Sequence, residues 1–497
     1  MAKEGNLLQI PPGMRDLLPG NAREKRLLEN EWVKLFSSWG YQEVATPTVE
    51  YLDTLALDTG EEIRDRLFQF FDRQGRILAL RPEMTTPIAR LVATRLRQCP
   101  FPQRLFYAAN VFRYEEPQAG RQREISQAGV ELVGAPGPLA DAEVIAMAVE
   151  ALRASGLEDF QISLGQIEVF NGVMEELPLD APTKARVRAL VAKKDFVSLE
   201  ELLATSGLDK AQSDLLLKLP TLHGGREVLI QALPLAVNER ARRGLENLRA
   251  VYEGLRTFGV EDYVAIDLGV LRGFDYYTGV VFEGYTVGLG FPICGGGRYD
   301  SLLGQFGFDT PATGFALGLD RVLLALSRSR EPKPAPASDV VIGGGNPCKI
   351  MAEAARMRKN GLSVEIDLMN RSEAELEQYA AARGIAQWFY YPAGQCGDSE
   401  GESVDLENGP ILSEIGNLMR PPAEAPVVDA TDAARGPVAE GAPGSDAEGA
   451  PVPATEGVQA PDTGAALKPH AGTAPKPVAG TVEPSGDGPQ CPTKQEQ

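Results

Sequence analysis

Apolar and polar positions alternate along the first two thirds of the chain with two different periods. "NAREKRLLENEWVKLFSSWG" carries apolar residues at helical spacing and stops at Gly40, which suits a helix C-terminus. "YQEVATPTVE" follows as a strand, with Pro47 marking it as an edge or interface strand. "LFQFFDRQGRILALRPE" predicts a hairpin turning at "DRQGR", and "TTPIARLVATRLRQC" predicts a helix. Strands recur at "QRLFYAANVFRYE" and "REISQAGVELVG"; the helix "DAEVIAMAVEALRASG" then leads into the strand "FQISLGQ". Runs of strands broken by helices, with no regular βαβ rhythm, predict an α+β fold built on an antiparallel sheet with flanking helices.

Later segments change register. Residues 172–250 read as a helical insert: "PTKARVRALVAKKD", "VSLEELLATSG", "KAQSDLLLKL" and "NERARRGLENLRAVYEGLRTFG". The core is placed at residues 1–328, and the Pro-rich polar stretch around 329–338 is a linker. Residues 339–395 give β-α-β-α-β, a small α/β domain with a parallel sheet. "VVIGGGN" within it lacks the full GxGxxG register, so it reads as a strand-to-helix turn rather than a nucleotide loop. From 396 to 497 the chain is Pro, Ala, Gly, Glu and Asp with almost no aromatics, and it is expected to be a disordered tail.

Composition narrows the chemistry. The chain has 497 residues, is 43% apolar and carries a net charge of −20. About twelve of those charges lie beyond residue 397, which leaves the core only mildly acidic and without a basic stripe. Nucleic acid is therefore not an expected partner. No apolar run is long enough to span a membrane and no signal peptide is visible, so a cytoplasmic protein is expected. Two histidines, His223 and His470, all but exclude His-based triads and His-rich metal centres. Five scattered cysteines with no CxxC spacing argue against structural zinc and a disulfide framework, and for a reducing compartment. Neither a metal nor a cofactor is expected.

Four stretches concentrate charge and glycine beyond what packing requires. "LRPEMTTPIAR" places Arg81, Glu83 and Thr85 at a strand-to-helix junction. "VFRYEEPQAGRQREISQAGVELVG" sets a polar loop between two strands; strand alternation puts Gln127, Gly129 and Glu131 on one face and Arg113 opposite Phe112 and Tyr114. "VLRGFDYYTGVVFE" crowds Arg272, Asp275, Tyr276 and Tyr277 into one turn between Gly273 and Gly279. "GGGRYDSLLGQFGFDTPATGFALGLDRVLLAL" runs a glycine-flanked strand into a helix beginning near Asp320–Arg321.

Together these stretches resemble histidyl-tRNA synthetase and, more closely, its paralogue, the regulatory subunit of ATP phosphoribosyltransferase, from about Pro11 to Leu326. "WGYQEVATPTVE" is similar to class II synthetase motif 1, the dimer-interface strand. "FRYEEPQAGRQREISQAGVELVG" is similar to motif 2 and "GFALGLDRVLL" to motif 3, while "LRGFDYYTG" resembles the histidine-specific signature. The resemblance implies a class II synthetase-like fold and a free-histidine pocket. In it Glu83, Thr85, Gln127 and Glu131 surround the ammonium, Tyr276 and Tyr277 frame the imidazole, and Arg113 and Arg272 meet carboxylate or phosphate oxygens.

Three departures separate the regulator from an active synthetase. Ile125 stands where synthetases carry an adenine-stacking Phe, and Met84 where they carry Gly. The α/β unit stops after "FYYPAG", short of a full anticodon-binding domain. Arg113, Arg121, Arg272 and Arg321 nevertheless remain. The resemblance therefore implies a non-catalytic subunit, with an active synthetase as the alternative. Its implied partners are L-histidine as effector and a short-form catalytic ATP phosphoribosyltransferase, with a homodimer sitting inside a hetero-oligomer.

Overall fold

The computed structural model describes residues 8–57, 65–115, 122–271, 276–329 and 337–394. The tail expected from 396 onward, most of the linker, Arg121, Arg272 and Asp275 lie outside the described residues. The chain forms two compact units that divide between Pro336 and Ala337.

In chain order the first unit contributes β1 (Gln42–Glu43), β2 (Val49–Tyr51), β3 (Gln69–Phe71), β4 (Ile77–Leu80), β5 (Gln103–Phe112) and β6 (Glu124–Val133). After them come β7 (Phe160–Gln166), β8 (His223–Gly224), β9 (Val264–Asp267), β10 (Val280–Thr286), β11 (Cys294–Arg298) and β12 (Ala312–Gly318). Nine of these form one sheet in the order β1-β5-β6-β12-β11-β10-β7-β9-β8, and β2-β4-β3 form a small second sheet. The central pairings are antiparallel, but β1 runs parallel to β5 and β7 parallel to β9, so the sheet is mixed. The α+β class II architecture holds with that correction. Its physical reason is that helices carry the chain between β7 and β9, a crossover that reverses direction and permits a parallel pair.

"YQEVATPTVE" is not one strand. Gln42–Glu43 and Val49–Tyr51 join different sheets, with Pro47 between them, where a missing N–H would break a continuous ladder. The first helix spans Pro19–Ser38 and ends as its spacing predicts, with Gly40 at φ +81° just beyond it. It buries Leu28, Trp32 and Phe36 in the main core, and the Trp32 indole donates to the Ala151 carbonyl at 3.0 Å. The Thr85–Leu91 helix widens into a π turn over Val92–Leu96.

One side of the great sheet is covered by the Pro138–Ala154 helix, whose Val144, Ile145, Met147 and Leu152 are fully buried. The Glu239–Thr257 helix contacts that helix in turn and also packs on Ile167–Glu175. Three shorter helices between 181 and 218 start on side-chain caps supplied by Asp180, Asp195 and Asp209. The apolar stripe of each inserts into the same core through Val187, Val191, Leu199, Leu203 and Leu216.

The second unit has a three-stranded parallel sheet, β13 (Val340–Gly344), β14 (Val364–Ile366) and β15 (Gln387–Tyr391), in the order β14-β13-β15. Helices Pro347–Lys359 and Glu373–Arg383 make the crossovers. "GGGN" is the strand-to-helix turn, with Asn346 capping the helix by accepting from the Lys349 N–H. Cys294 is buried and outside any disulfide, whereas Cys99 and Cys348 are each disulfide-bonded, which corrects the expectation of reduced cysteines throughout. Scattered spacing excludes close pairs only; longer-range pairing is decided by the fold.

Candidate functional site

Register along β5, β6 and β12 builds a pocket floor on the sheet face away from the Pro138–Ala154 helix. Tyr107 stands opposite Gly129, Leu105 opposite Glu131, and Gly314 opposite Glu131 from the other side. Side chains paired across strands share a face, so Gln127, Gly129 and Glu131 line up with Tyr107, as alternation predicts. Small residues there are obligatory. A Cβ on Gly129 would lie 2.6 Å from the Tyr107 hydroxyl, and one on Gly314 would overlap the Glu131 carboxylate.

The loop carrying Glu83 is pinned from two directions. Arg81, itself buried, donates from Nε to the Asn110 carbonyl at 3.0 Å and from Nη1 to the Thr46 carbonyl at 2.7 Å. Arg113 lies one residue past the end of β5 and donates from Nε to the Pro82 carbonyl at 2.9 Å. Glu83 then accepts the main-chain N–H groups of Thr85 (2.5 Å) and Thr86 (3.0 Å). On the far wall Asp320 accepts the Ser126 N–H at 2.8 Å, and Arg321 donates to the Pro292 carbonyl at 2.6 Å.

The resulting cavity encloses about 80 Å³, well under the roughly 300–1,000 Å³ of drug-sized sites, so it suits a small ligand. Glu83, Thr85, Arg113, Gln127, Tyr276 and Tyr277 all line it. Glu131 lies just beneath, 1% exposed, accepting from the Thr85 hydroxyl at 2.8 Å and from the Tyr299 hydroxyl. Seven of the eight residues singled out in the sequence therefore converge, and the eighth, Arg272, lies outside the described residues.

Tyr276 and Tyr277 meet at 4.9 Å between ring centroids, and Tyr276 meets Tyr299 edge-on at 5.8 Å. These rings make a rigid apolar wall with hydroxyl handles. Burial raises the Glu131 carboxyl to about 8; the Tyr299 and Thr85 hydroxyls pull it down, while neighbouring Glu83 pushes it up. Burial also lifts Glu83, against the N–H and hydroxyl groups of Thr85 and Thr86. Tyr107 and Tyr299 are both held well above the usual phenol range, chiefly by burial.

Two lining residues escaped the sequence reading. Tyr299 sits in the quoted "GGGRYD" run, and its position two residues after a glycine triplet was the available signal. Tyr107 had none, since an aromatic in a buried strand reads as core. Met84 (1% exposed) and Ile125 are pocket-wall residues, so the two departures from the synthetase pattern fall at the site itself. Among the described residues no cluster of three or more His, Cys, Asp or Glu could hold a metal. Nor is any helix among them long and apolar enough to cross a membrane.

The mixed sheet of this order, with its flanking helices, is a class II synthetase-like fold, and its pocket is floored by a buried pair of carboxylates and walled by tyrosines. Residues 13–322 match the histidyl-tRNA synthetase family. A solved structure of histidyl-tRNA synthetase from Nostoc superposes with a TM-score of 0.66 at 25% identity, covering 76% of this chain and 90% of its own. A second structure, from Bacillus halodurans, is described as an ATP phosphoribosyltransferase regulatory subunit/histidyl-tRNA synthetase. It superposes with a TM-score of 0.71 at 32% identity, covering 78% of this chain and 99% of its own.

Curated relatives narrow the placement. The ATP phosphoribosyltransferase regulatory subunit of Moorella thermoacetica is 49% identical over 76% of this chain and 97% of its own. That of Desulforamulus reducens is 45% identical over 80% and 98%. The chain belongs to the ATP phosphoribosyltransferase regulatory subunits, the non-catalytic branch of the histidyl-tRNA synthetase-like fold.

Proposed function

We propose that this chain supports the first step of L-histidine biosynthesis as the regulatory partner of a short-form catalytic ATP phosphoribosyltransferase, and that its pocket senses free histidine as feedback inhibitor. The observation that carries this is the pair Glu83 and Glu131. Both are buried at the pocket floor, and neither is among the ion pairs formed by the described residues. A buried carboxylate without a cation is costly, and a ligand's α-ammonium would supply the missing charge. Gln127 completes the ammonium side, Tyr276 and Tyr277 hold the imidazole, and Arg113 with Arg272 meets the ligand's carboxylate.

Transfer chemistry belongs to the partner. Ile125 offers no π face for adenine and Met84 fills space beside the substrate, both of which weigh against amino-acid activation. Histidine acts by binding two arrangements of the complex with different affinity, by about 1–3 kcal/mol for ordinary allosteric coupling. The active assembly is a cytoplasmic hetero-oligomer built on a homodimer of this chain, and neither metal, cofactor, membrane nor nucleic acid takes part.

Thermal stabilisation of the purified chain by histidine tests the site. Stabilisation that disappears in Tyr276→Ala and Glu131→Ala supports it; equal stabilisation in both variants puts the histidine elsewhere. Histidine-dependent ATP–pyrophosphate exchange by the chain alone would instead make it a synthetase.

A further inference from the structure

The two floor carboxylates are held by different kinds of donor. Glu83 accepts main-chain N–H groups, which are fixed as donors and favour the ionised form. Among the described residues Glu131 accepts only hydroxyls, Thr85 on Oε1 at 2.8 Å and Tyr299 on Oε2. A hydroxyl can accept as well as donate, so the cradle of Glu131, though it favours the carboxylate, can also receive the proton of a carboxylic acid, which fixed N–H donors cannot.

Among the described residues, the groups that act on Glu131 are hydroxyls and another carboxylate, none of them a cation. From the loop before the Thr85–Leu91 helix comes the carboxylate of Glu83; from β5 the phenol of Tyr107; from the segment after β11 the phenol of Tyr299. Tyr276 and Tyr277 stand next to Tyr299, and Tyr41 feels the Glu131 charge from the other side. β12 contributes Gly314, which has no side chain to bring. Arg113 lowers the Tyr107 phenol and donates from Nε to the Pro82 carbonyl at 2.9 Å. Two carboxylates buried this close do not both ionise without a cation.

We propose that the empty pocket keeps a proton on Glu131, and that an amino acid binds by exchanging that proton for its own α-ammonium, which makes occupancy of the regulatory site pH-linked. This rests on reading the pocket as a histidine site and names how that site is tuned. In the exchange the Glu131 O–H breaks, the proton leaves to solvent, and the resulting carboxylate pairs with the incoming ammonium. Burial sets the midpoint near 8. Histidine affinity therefore rises about fivefold between pH 7 and pH 8, and acidification relieves inhibition.

Calorimetric titration of the full chain with histidine at pH 7.5, in Hepes and in Tris, reads the proton directly. The dependence of the heat on buffer ionisation enthalpy should report about three-quarters of a proton released by the native chain. Glu131→Gln keeps both hydroxyl partners but cannot ionise, and should bind more weakly while releasing only the small contribution of histidine's own imidazole. If that variant fails to bind, the native slope still decides. Binding heat that is independent of buffer overturns the proton exchange and leaves the histidine site standing. Absence of any binding heat at pH 7 and pH 8 overturns the site reading, and the exchange with it.

Discussion

Tyr299 donates its buried hydroxyl to Oε2 of Glu131, joining residues 168 positions apart across the floor of the pocket. The Thr85 hydroxyl holds the other oxygen. Tyr299→Phe removes one of these two donors and leaves the ring that packs on Tyr276. A hydrogen bond to a charged group is worth about 1.5–3 kcal/mol, so histidine affinity should fall by at least tenfold while the melting profile of the empty chain changes little. Titration calorimetry beside a thermal melt checks both.

Gly314→Ala puts a methyl group where the Glu131 carboxylate lies. That carboxylate is fully enclosed, so it has nowhere to retreat. Expected are loss of detectable histidine binding and destabilisation of about 1–3 kcal/mol in urea unfolding. Retained affinity would mean that the floor is not where the ligand sits.

Arg298 and Asp141 form a buried ion pair at 2.9 Å, linking β11 to the Pro138–Ala154 helix, and Arg298 also donates to the Gly137 carbonyl. Arg298→Met leaves Asp141 buried without its cation. The cost should be about 3–5 kcal/mol, read as a lowered urea midpoint. Replacing both members with apolar residues should recover much of that loss.

The sign of the pH dependence follows from Glu131. Its folded carboxyl titrates near 8, above the unfolded value of 4.5, so the folded chain holds the extra proton between those limits. Its contribution to stability is complete below about pH 4.5 and is lost as pH rises toward 8. The unliganded chain should lose about 1 kcal/mol per pH unit across pH 5–8. The depressed carboxyls, such as Glu168 and Asp367, lose their stabilisation only below their usual range, outside this window. Urea unfolding of Glu131→Gln, set beside the native chain, should flatten the slope.

Much of the site was readable because its residues announce themselves in short range. Period-two alternation put Gln127 and Glu131 on one face, and the paired tyrosines of "DYYTG" stood out against a strand that needed no polar groups. Tyr107 and Tyr299 were not distinguishable in the same way, because their roles come from register between strands far apart in sequence. The same limit applies to the sheet. Local pattern located most of its strands, yet the parallel pairings of β1 with β5 and β7 with β9, and the division of β1 from β2 at Pro47, depend on how distant segments meet. The disulfide-bonded states of Cys99 and Cys348 belong to that category too.

A reconstitution assay goes to the centre of the account. A short-form catalytic ATP phosphoribosyltransferase is assayed alone, with this chain, and with this chain plus histidine. The account predicts that adding the chain raises the rate, that histidine then suppresses it, and that Glu131→Ala keeps the activation while losing the suppression. No activation by the native chain, or suppression that persists undiminished in Glu131→Ala, would contradict it.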